Sequence, residues 1–456
     1  MKLTTACLST LALLHATVAF ADAPPLQEQI DAALAPMFKA DAPGATVIVT
    51  RDGQPVFRKA YGRADVDKKT PMQPDMQLRL GSVTKQFTAV AILMLAEQGK
   101  LSLQDDITRF LPDYPVNGHR ITIEQLLQHK AGIRNYTAMP RFWPNADKDT
   151  GVAQFIDFFK NEPLDFAPGE RWSYSNSGYF LLGAIIEKAS GQRYADFIAQ
   201  HIFEPLGMQD TAYEGHERSG KHRVEGYRAG FFSGYSTAEK ISMTLPYAAG
   251  ALVSTVDDLA RWNDAIVSGK LLKAESWQQA MTPCTLPKEA KCNYGYGWFI
   301  SSLRGHKMIW HGGDIPGFNA ETLRLPDDKL FVAVLSNGNR DVLDSDRIAF
   351  TAAAIAIGNP FPEQKAVALA PEALDALAGT YKMPDNALRT FTRKGAGLSY
   401  ERPGRPAMTL KPYAPDRFFV EGSLTTFEFQ RGTDGKVTGV TLVQAGSEQA
   451  AVRVAN

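Results

Sequence analysis

Cysteine is scarce in this chain: three residues in 456, one of them, Cys7, inside the N-terminal apolar run. That excludes a scaffold built on disulfides, and the eight histidines are not clustered in a way that suggests a zinc cage. An excess of either charge is also missing. Lys+Arg and Asp+Glu both number 49, and no basic stripe interrupts the balance, so nucleic acid and acidic membrane surfaces are not expected partners. Past the N-terminus no apolar run is long enough to cross a bilayer, and no internal repeat is evident.

What is present begins with a leader. Lys2, a mostly apolar stretch over 3–20 and the small-x-small triplet Ala19-Phe20-Ala21 read as a cleaved secretory signal over 1–21. A periplasmic or secreted protein is expected, with no membrane span once the signal is removed. Two cysteines then remain, Cys284 and Cys292. In an oxidising compartment they can close a small loop; a reduced pair of neighbours is the other reading.

The order of patterns implies an α/β (α+β) fold. Helical spacing covers 26–38, and alternating runs over 45–50 and 55–61 flank the hairpin signal Asp52-Gly53. A long, mostly helical region follows over 84–282. Strand character returns over 296–301, 307–311, 320–325 and 330–336, and a last helix is expected over 345–357. Early and late strands would pair in one antiparallel sheet, flanked by the terminal helices, with the central region as a helical lobe. The expected domains are a two-lobed α/β unit over 22–359, a proline-bearing linker over 360–371 and a small all-β barrel over 372–456. The barrel reads as a lid over a cleft or as a partner surface.

Three segments carry chemistry. In Ser82-Val83-Thr84-Lys85 the serine opens a helix and the lysine lies one turn on, so hydroxyl and amine share a face. A serine there is usually a cap, but a cation facing the positive end of the helix dipole breaks the local rule. Buried, that amine has a lowered pKa and can take the serine's proton. In Tyr174-Ser175-Asn176, Tyr174 can exchange a proton if a nearby cation lowers its pKa, and Asn176 can hold Lys85 and a substrate carbonyl. In His311-Gly312-Gly313-Asp314 the glycines, at a strand end, admit close backbone approach, and an N–H there joins that of Ser82 as an oxyanion hole.

In that order these segments match S-x-x-K, Y-x-N and H-x-G elements, and the chain resembles the serine β-lactamase and penicillin-binding-protein superfamily. The likeness is to the branch with class C β-lactamases, DD-peptidases, D-aminopeptidases and esterases. It extends over roughly 26–358, through the segments 126–133, 166–183, 205–208 and 250–262. The tail from Leu377 is similar to the lipocalin-like domain of some members.

The resemblance implies a Ser82 acyl-enzyme. Lys85 and Tyr174 act as one acid–base unit, without settling which takes the first proton. Asn176 positions both, and the N–H groups of Ser82 and Asp314 hold the oxyanion, with Gly313 beside them. His311 is expected in the site wall, binding substrate or purely structural. No metal or organic cofactor is needed. One departure matters. Many relatives carry a hydroxyl residue where Gly312 stands, and it helps bind a substrate carboxylate. Its absence favours a small D-residue peptide, an amide or an ester over a β-lactam. The rivals are a true β-lactamase or DD-carboxypeptidase, and a non-catalytic binding protein that uses the barrel.

Overall fold

The computed structural model describes residues 24–216, 224–231, 233–287, 290, 292–384, 386–403, 406–444 and 447–454. The signal over 1–21 lies outside them.

Six antiparallel strands form the central sheet, in the order Phe299–Leu303, His306–Ile315, Phe318–Leu325, Leu330–Ser336, Ala45–Arg51, Gln54–Tyr61. Early and late strands meet in the middle, where Ala45 pairs with Ser336 and Arg51 with Leu330. Asp52 and Gly53 both take positive φ, 51° and 74°, which the tight hairpin requires. The alternation of side chains sorts the core into two layers. Val47, Val49, Leu323 and Val332 face the terminal helices Leu26–Leu34 and Ser345–Ala356. Ile48, Ala320, Ala333 and Leu335 face the helical lobe.

Several boundaries differ from the sequence reading. The first helix stops at Leu34 because Pro36 permits only a 3-10 turn, Ala35–Met37. The strand through His311 runs on to Ile315, so Gly312-Gly313-Asp314 lie inside it and not at its end. The central region is less helical than expected. It includes the short strands Ala212–Tyr213 and Leu252–Ser254, which join Leu78–Arg79 in a three-stranded sheet. Side chains of two- and three-residue strands leave no readable alternation.

The Thr84–Glu97 helix is the axis of the lobe. Eleven of its side chains are buried, on every face, because apolar residues surround it and other helices enclose it. The helix Asn176–Ser190 packs beside it and is also buried nearly throughout.

Residues beyond Pro371 form a short helix, Pro371–Leu377, and a closed eight-stranded antiparallel barrel. Phe391, Phe418, Phe427 and Phe429 fill its interior, with Leu374 and Leu377 among them. The barrel meets the helix-covered side of the sheet. Leu424 packs on the cluster of the terminal helices, and a Cβ at Gly422 would stand 3.7 Å from the Arg347 guanidinium. The expectation of a lid fails here: the sheet and its helices separate the barrel from the face that carries Ser82.

Candidate active site

Gly81 takes a left-handed φ of 50° and starts the 3-10 turn Gly81–Val83, which feeds directly into the Thr84–Glu97 helix. Ser82 makes no capping bond; its hydroxyl is engaged by Lys85. Lys85 is 0% exposed, and its Nζ lies 2.9 Å from Ser82 Oγ, 2.8 Å from Asn176 Oδ1 and 2.8 Å from the Ala249 carbonyl. Among the described residues it has no carboxylate partner. Burial therefore drives its pKa well below the usual lysine value. In this arrangement Lys85 Nζ donates to all three, the Ser82 hydroxyl, the Asn176 amide oxygen and the Ala249 carbonyl. Once it has lost a proton, the amine can instead accept from the Ser82 hydroxyl, the one of the three that can donate.

Tyr174 comes from the loop before the Asn176–Ser190 helix. The loop is pinned to His129: the Ser173 N–H donates to the His129 carbonyl at 3.0 Å and the Ser175 N–H to His129 Nδ1 at 3.1 Å. The Tyr174 ring packs 4.3 Å from the His129 ring, and Lys85 Nζ lies 4.8 Å from the Tyr174 centroid. Tyr174 Oη is buried and has no bond of good geometry in this resting arrangement. The sequence makes proton exchange by Tyr174 conditional on a nearby cation lowering its pKa. The structure does not meet that condition: burial raises the Tyr174 pKa, and the nearby Ser82 hydroxyl offsets only part of the rise. The cation that was to lower it is itself driven towards neutrality.

Asn176 is the first residue of its helix, and no side chain caps that end. Its Oδ1 holds Lys85, while its Nδ2 reaches Thr137 Oγ1 at 3.4 Å.

The His306–Ile315 strand passes against the Ser82 turn. A Cβ at Gly313 would stand 2.0 Å from the Leu80 carbonyl oxygen and 3.0 Å from Ser82 N, so only glycine fits. A Cβ at Gly81 would stand 3.1 Å from Asp314 N, which places that N–H beside the nucleophile's turn. The structure thus brings Ser82, Lys85, Tyr174, Asn176, Gly313 and Asp314 together.

Of the two roles expected for His311, substrate binding or purely structural, the structure favours the second, and Gly312 does not mark a missing substrate contact. His311 is 1% exposed, and burial, helped by Lys85, pushes its pKa down to about 3. Its Nδ1 donates to the Gly312 carbonyl at 2.6 Å, and its Nε2 accepts from the Tyr294 hydroxyl at 2.9 Å. Neither nitrogen is left for a substrate. A side chain at 312 would not enter the cleft either. Its Cβ would stand 2.9 Å from Glu321 Oε2 and 3.6 Å from Asp346 Oδ1, on the opposite face of the sheet. Gly312 is small because Glu321 fills that space.

Cys284 and Cys292 are joined, and the bridge packs with Tyr294, Trp172 and Tyr174 behind the site. In front of Ser82 lies a cleft of about 70 Å3 walled by Tyr136, Phe142, Trp143, Ile241, Pro246 and Ile315. Sequence reasoning missed Ala249, Tyr294, Trp143 and Glu321. A backbone carbonyl leaves no residue-type signal, and the others act through contacts across distant segments.

A serine with an S-x-x-K lysine, set between an antiparallel sheet and a helical lobe, defines a serine hydrolase of the β-lactamase fold. The beta-lactamase family model matches residues 27–356, and the chain belongs to that family. Penicillin-binding protein 4* of Bacillus subtilis (strain 168) is 31% identical over 431 residues, covering 90% of this chain and 94% of its own. The octameric penicillin-binding protein homologue from Pyrococcus abyssi superposes with a TM-score of 0.67 at 25% identity, over 95% of this chain and 100% of that one. The D-amino acid amidase from Ochrobactrum anthropi SV3 gives 0.63 at 25% identity, over 74% and 98%.

Proposed function

We propose that this chain hydrolyses a small amide, peptide or ester with an apolar group and no free carboxylate near the scissile bond, through an acyl-enzyme on Ser82. The observation that carries this reading is the buried Lys85 amine, 2.9 Å from Ser82 Oγ and without a carboxylate partner among the described residues. Ser82 Oγ attacks the carbonyl carbon as its proton passes to Lys85. The N–H groups of Ser82 and Asp314 hold the oxyanion, each donor worth ~3 kcal/mol. Tyr174, neutral and facing Ser82, passes a proton to the leaving nitrogen or oxygen as the C–N or C–O bond breaks. Water then repeats the sequence in reverse roles and frees Ser82. Asn176 keeps Lys85 aimed.

The case against a carboxylate substrate rests on the cleft. Its lining is largely apolar and aromatic and includes no lysine or arginine among the described residues to pair with a carboxylate. The D-amino acid amidase likeness favours a D-residue amide. The second reading, a penicillin-recognising peptidase, is favoured by the likeness to penicillin-binding protein 4*. A binding role inside the barrel is disfavoured, because aromatic side chains fill the interior. We further propose export by the N-terminal segment, which agrees with the Cys284–Cys292 bridge.

Labelling with a fluorophosphonate and a fluorescent penicillin, in wild type and Ser82→Ala, tests the reading. Ser82-dependent labelling by the first probe alone supports it. Labelling by both supports the peptidase, and by neither the binding protein.

A further inference from the structure

Asp314 supplies its backbone N–H to the oxyanion in the reading above, on which this inference rests, yet its side chain points into a network that the reaction does not use. Asn319 Nδ2 donates to Asp314 Oδ1 at 2.6 Å and to the Gly313 carbonyl at 3.1 Å. Asn319 is 0% exposed, and its own Oδ1 accepts the Ser345 N–H at 2.8 Å. The other carboxylate oxygen, Asp314 Oδ2, pairs with Arg340 Nη2 at 3.1 Å. Arg340 Nη1 reaches Asp346 at 2.6 Å and Asp344 at 3.4 Å. One guanidinium thus serves three carboxylates from three segments: the oxyanion strand, the loop before the Ser345–Ala356 helix, and that helix.

Directly behind lies Glu321, 0% exposed, whose two carboxyl oxygens accept no hydrogen bond. Burial, then the charge of Asp346, raises its pKa well above the usual range. Glu321 Oε2 and Asp346 Oδ1 both lie within 3.6 Å of a Cβ built at Gly312, so the two carboxyl groups are neighbours on that face of the sheet.

We infer that Arg340 is a positioning residue for the oxyanion hole: with Asn319 it clamps the Asp314 carboxylate and so fixes the Asp314 N–H beside Ser82. The geometry leaves little slack. Gly313 touches the Leu80 carbonyl and Gly81 lies against Asp314 N, so a rotation at 314 moves the donor relative to the nucleophile. Removing Arg340 leaves three carboxylates facing one another with no shared cation, and repulsion turns Asp314 away. The Arg340 and Asp314 side chains are 44% and 56% exposed, so the pair itself contributes little to folding. The loss is therefore expected in transition-state binding and not in stability.

The test compares full-length wild type, Arg340→Met, Arg340→Lys and Asp314→Asn. It reads p-nitrophenyl acetate turnover, inhibition by phenylboronic acid, which forms a tetrahedral adduct on the serine, and the melting temperature. Arg340→Met should lower kcat/KM by about 10-fold, a part of the ~100-fold loss expected when one donor is deleted outright. The boronate inhibition constant should weaken in parallel, while KM moves less than about twofold. Arg340→Lys should recover part of the loss, and Asp314→Asn should fall between Arg340→Met and wild type. Turnover by Arg340→Met within about twofold of wild type overturns the inference. So does a loss carried by KM and melting temperature with boronate binding unchanged, which would mark a general structural role. If Arg340→Met fails to fold, Asp314→Asn gives the same readout. If the wild type shows no Ser82-dependent turnover, the hydrolase reading and this inference fall together; normal wild-type turnover with indifferent variants sinks the inference alone.

Discussion

Lys85 Nζ sits 4.8 Å from the ring centroid of Tyr174, with the lysine fully buried and the tyrosine half-buried, its Oη shielded from solvent. Burial pushes the two in opposite directions, the amine's pKa down and the phenol's up. Desolvation thus favours the neutral form of each. The proposed mechanism uses those forms, Lys85 as the base and Tyr174 as the acid.

A pH profile checks this assignment. Activity needs Lys85 unprotonated, so kcat/KM falls on the acid side, at a pH well below the usual lysine range. It needs Tyr174 protonated, so the alkaline fall comes above the ordinary tyrosine value. Lys85→Ala should remove the acid limb and lower kcat by about 100- to 10,000-fold. An acid limb that survives in Lys85→Ala would assign the base elsewhere.

Tyr174→Phe separates chemistry from packing. The phenylalanine keeps the ring contact with His129, and Tyr174 Oη has no good partner to lose. Stability should change by less than about 0.5 kcal/mol, or rise slightly. Turnover should fall by about 100-fold or more. Thermal melting and steady-state kinetics on one preparation would show whether the two effects part.

Gly313→Ala tests the contact between strand and nucleophile turn. The added carbon would stand 2.0 Å from the Leu80 carbonyl oxygen, backbone against backbone, so one of the two must move. The oxyanion donors then separate, and kcat/KM should drop by at least about 100-fold. Gly312→Ala meets the Glu321 side chain instead, at 2.9 Å, and should cost far less activity.

Reduction of Cys284–Cys292 acts behind the site. The bridge spans eight positions and packs on Tyr294, whose hydroxyl holds His311. Opening it should cost about 2–3 kcal/mol by loop closure alone. Melting curves of Cys284→Ser with and without reductant would show it: the variant should melt lower and no longer respond to reductant.

Trp143 is 51% exposed at the cleft, with its indole Nε1 donating to the Thr137 carbonyl at 3.1 Å. Trp143→Ala should raise KM for esters with aromatic acyl groups by about 10-fold and leave acetyl esters nearly unchanged. Equal effects on both would remove Trp143 from substrate contact.

The sequence carried the parts whose physics is local. Helical spacing and a broken dipole rule marked Ser82 and Lys85, and the hairpin at Asp52-Gly53 formed as its residue types demand. The inference from Gly312 missed because facing in a strand alternates. One residue decides whether a side chain meets the cleft or Glu321, and spacing from the motif does not reveal which. The condition on Tyr174 failed because the direction of its shift depends on burial of the whole pair. Arg340 and Asn319 were silent because both act through Asp314, 26 and 5 positions away, and no spacing rule links a loop arginine or a neighbouring-strand asparagine to that residue.

The central claim is that Lys85 makes the Ser82 hydroxyl nucleophilic. Intact-mass and peptide analysis after brief exposure to a fluorophosphonate tests it most directly. The account predicts one adduct on the peptide that contains Ser82, absent in Ser82→Ala and formed at least about 100-fold more slowly in Lys85→Ala. An adduct on another residue, or one whose rate ignores position 85, would contradict it.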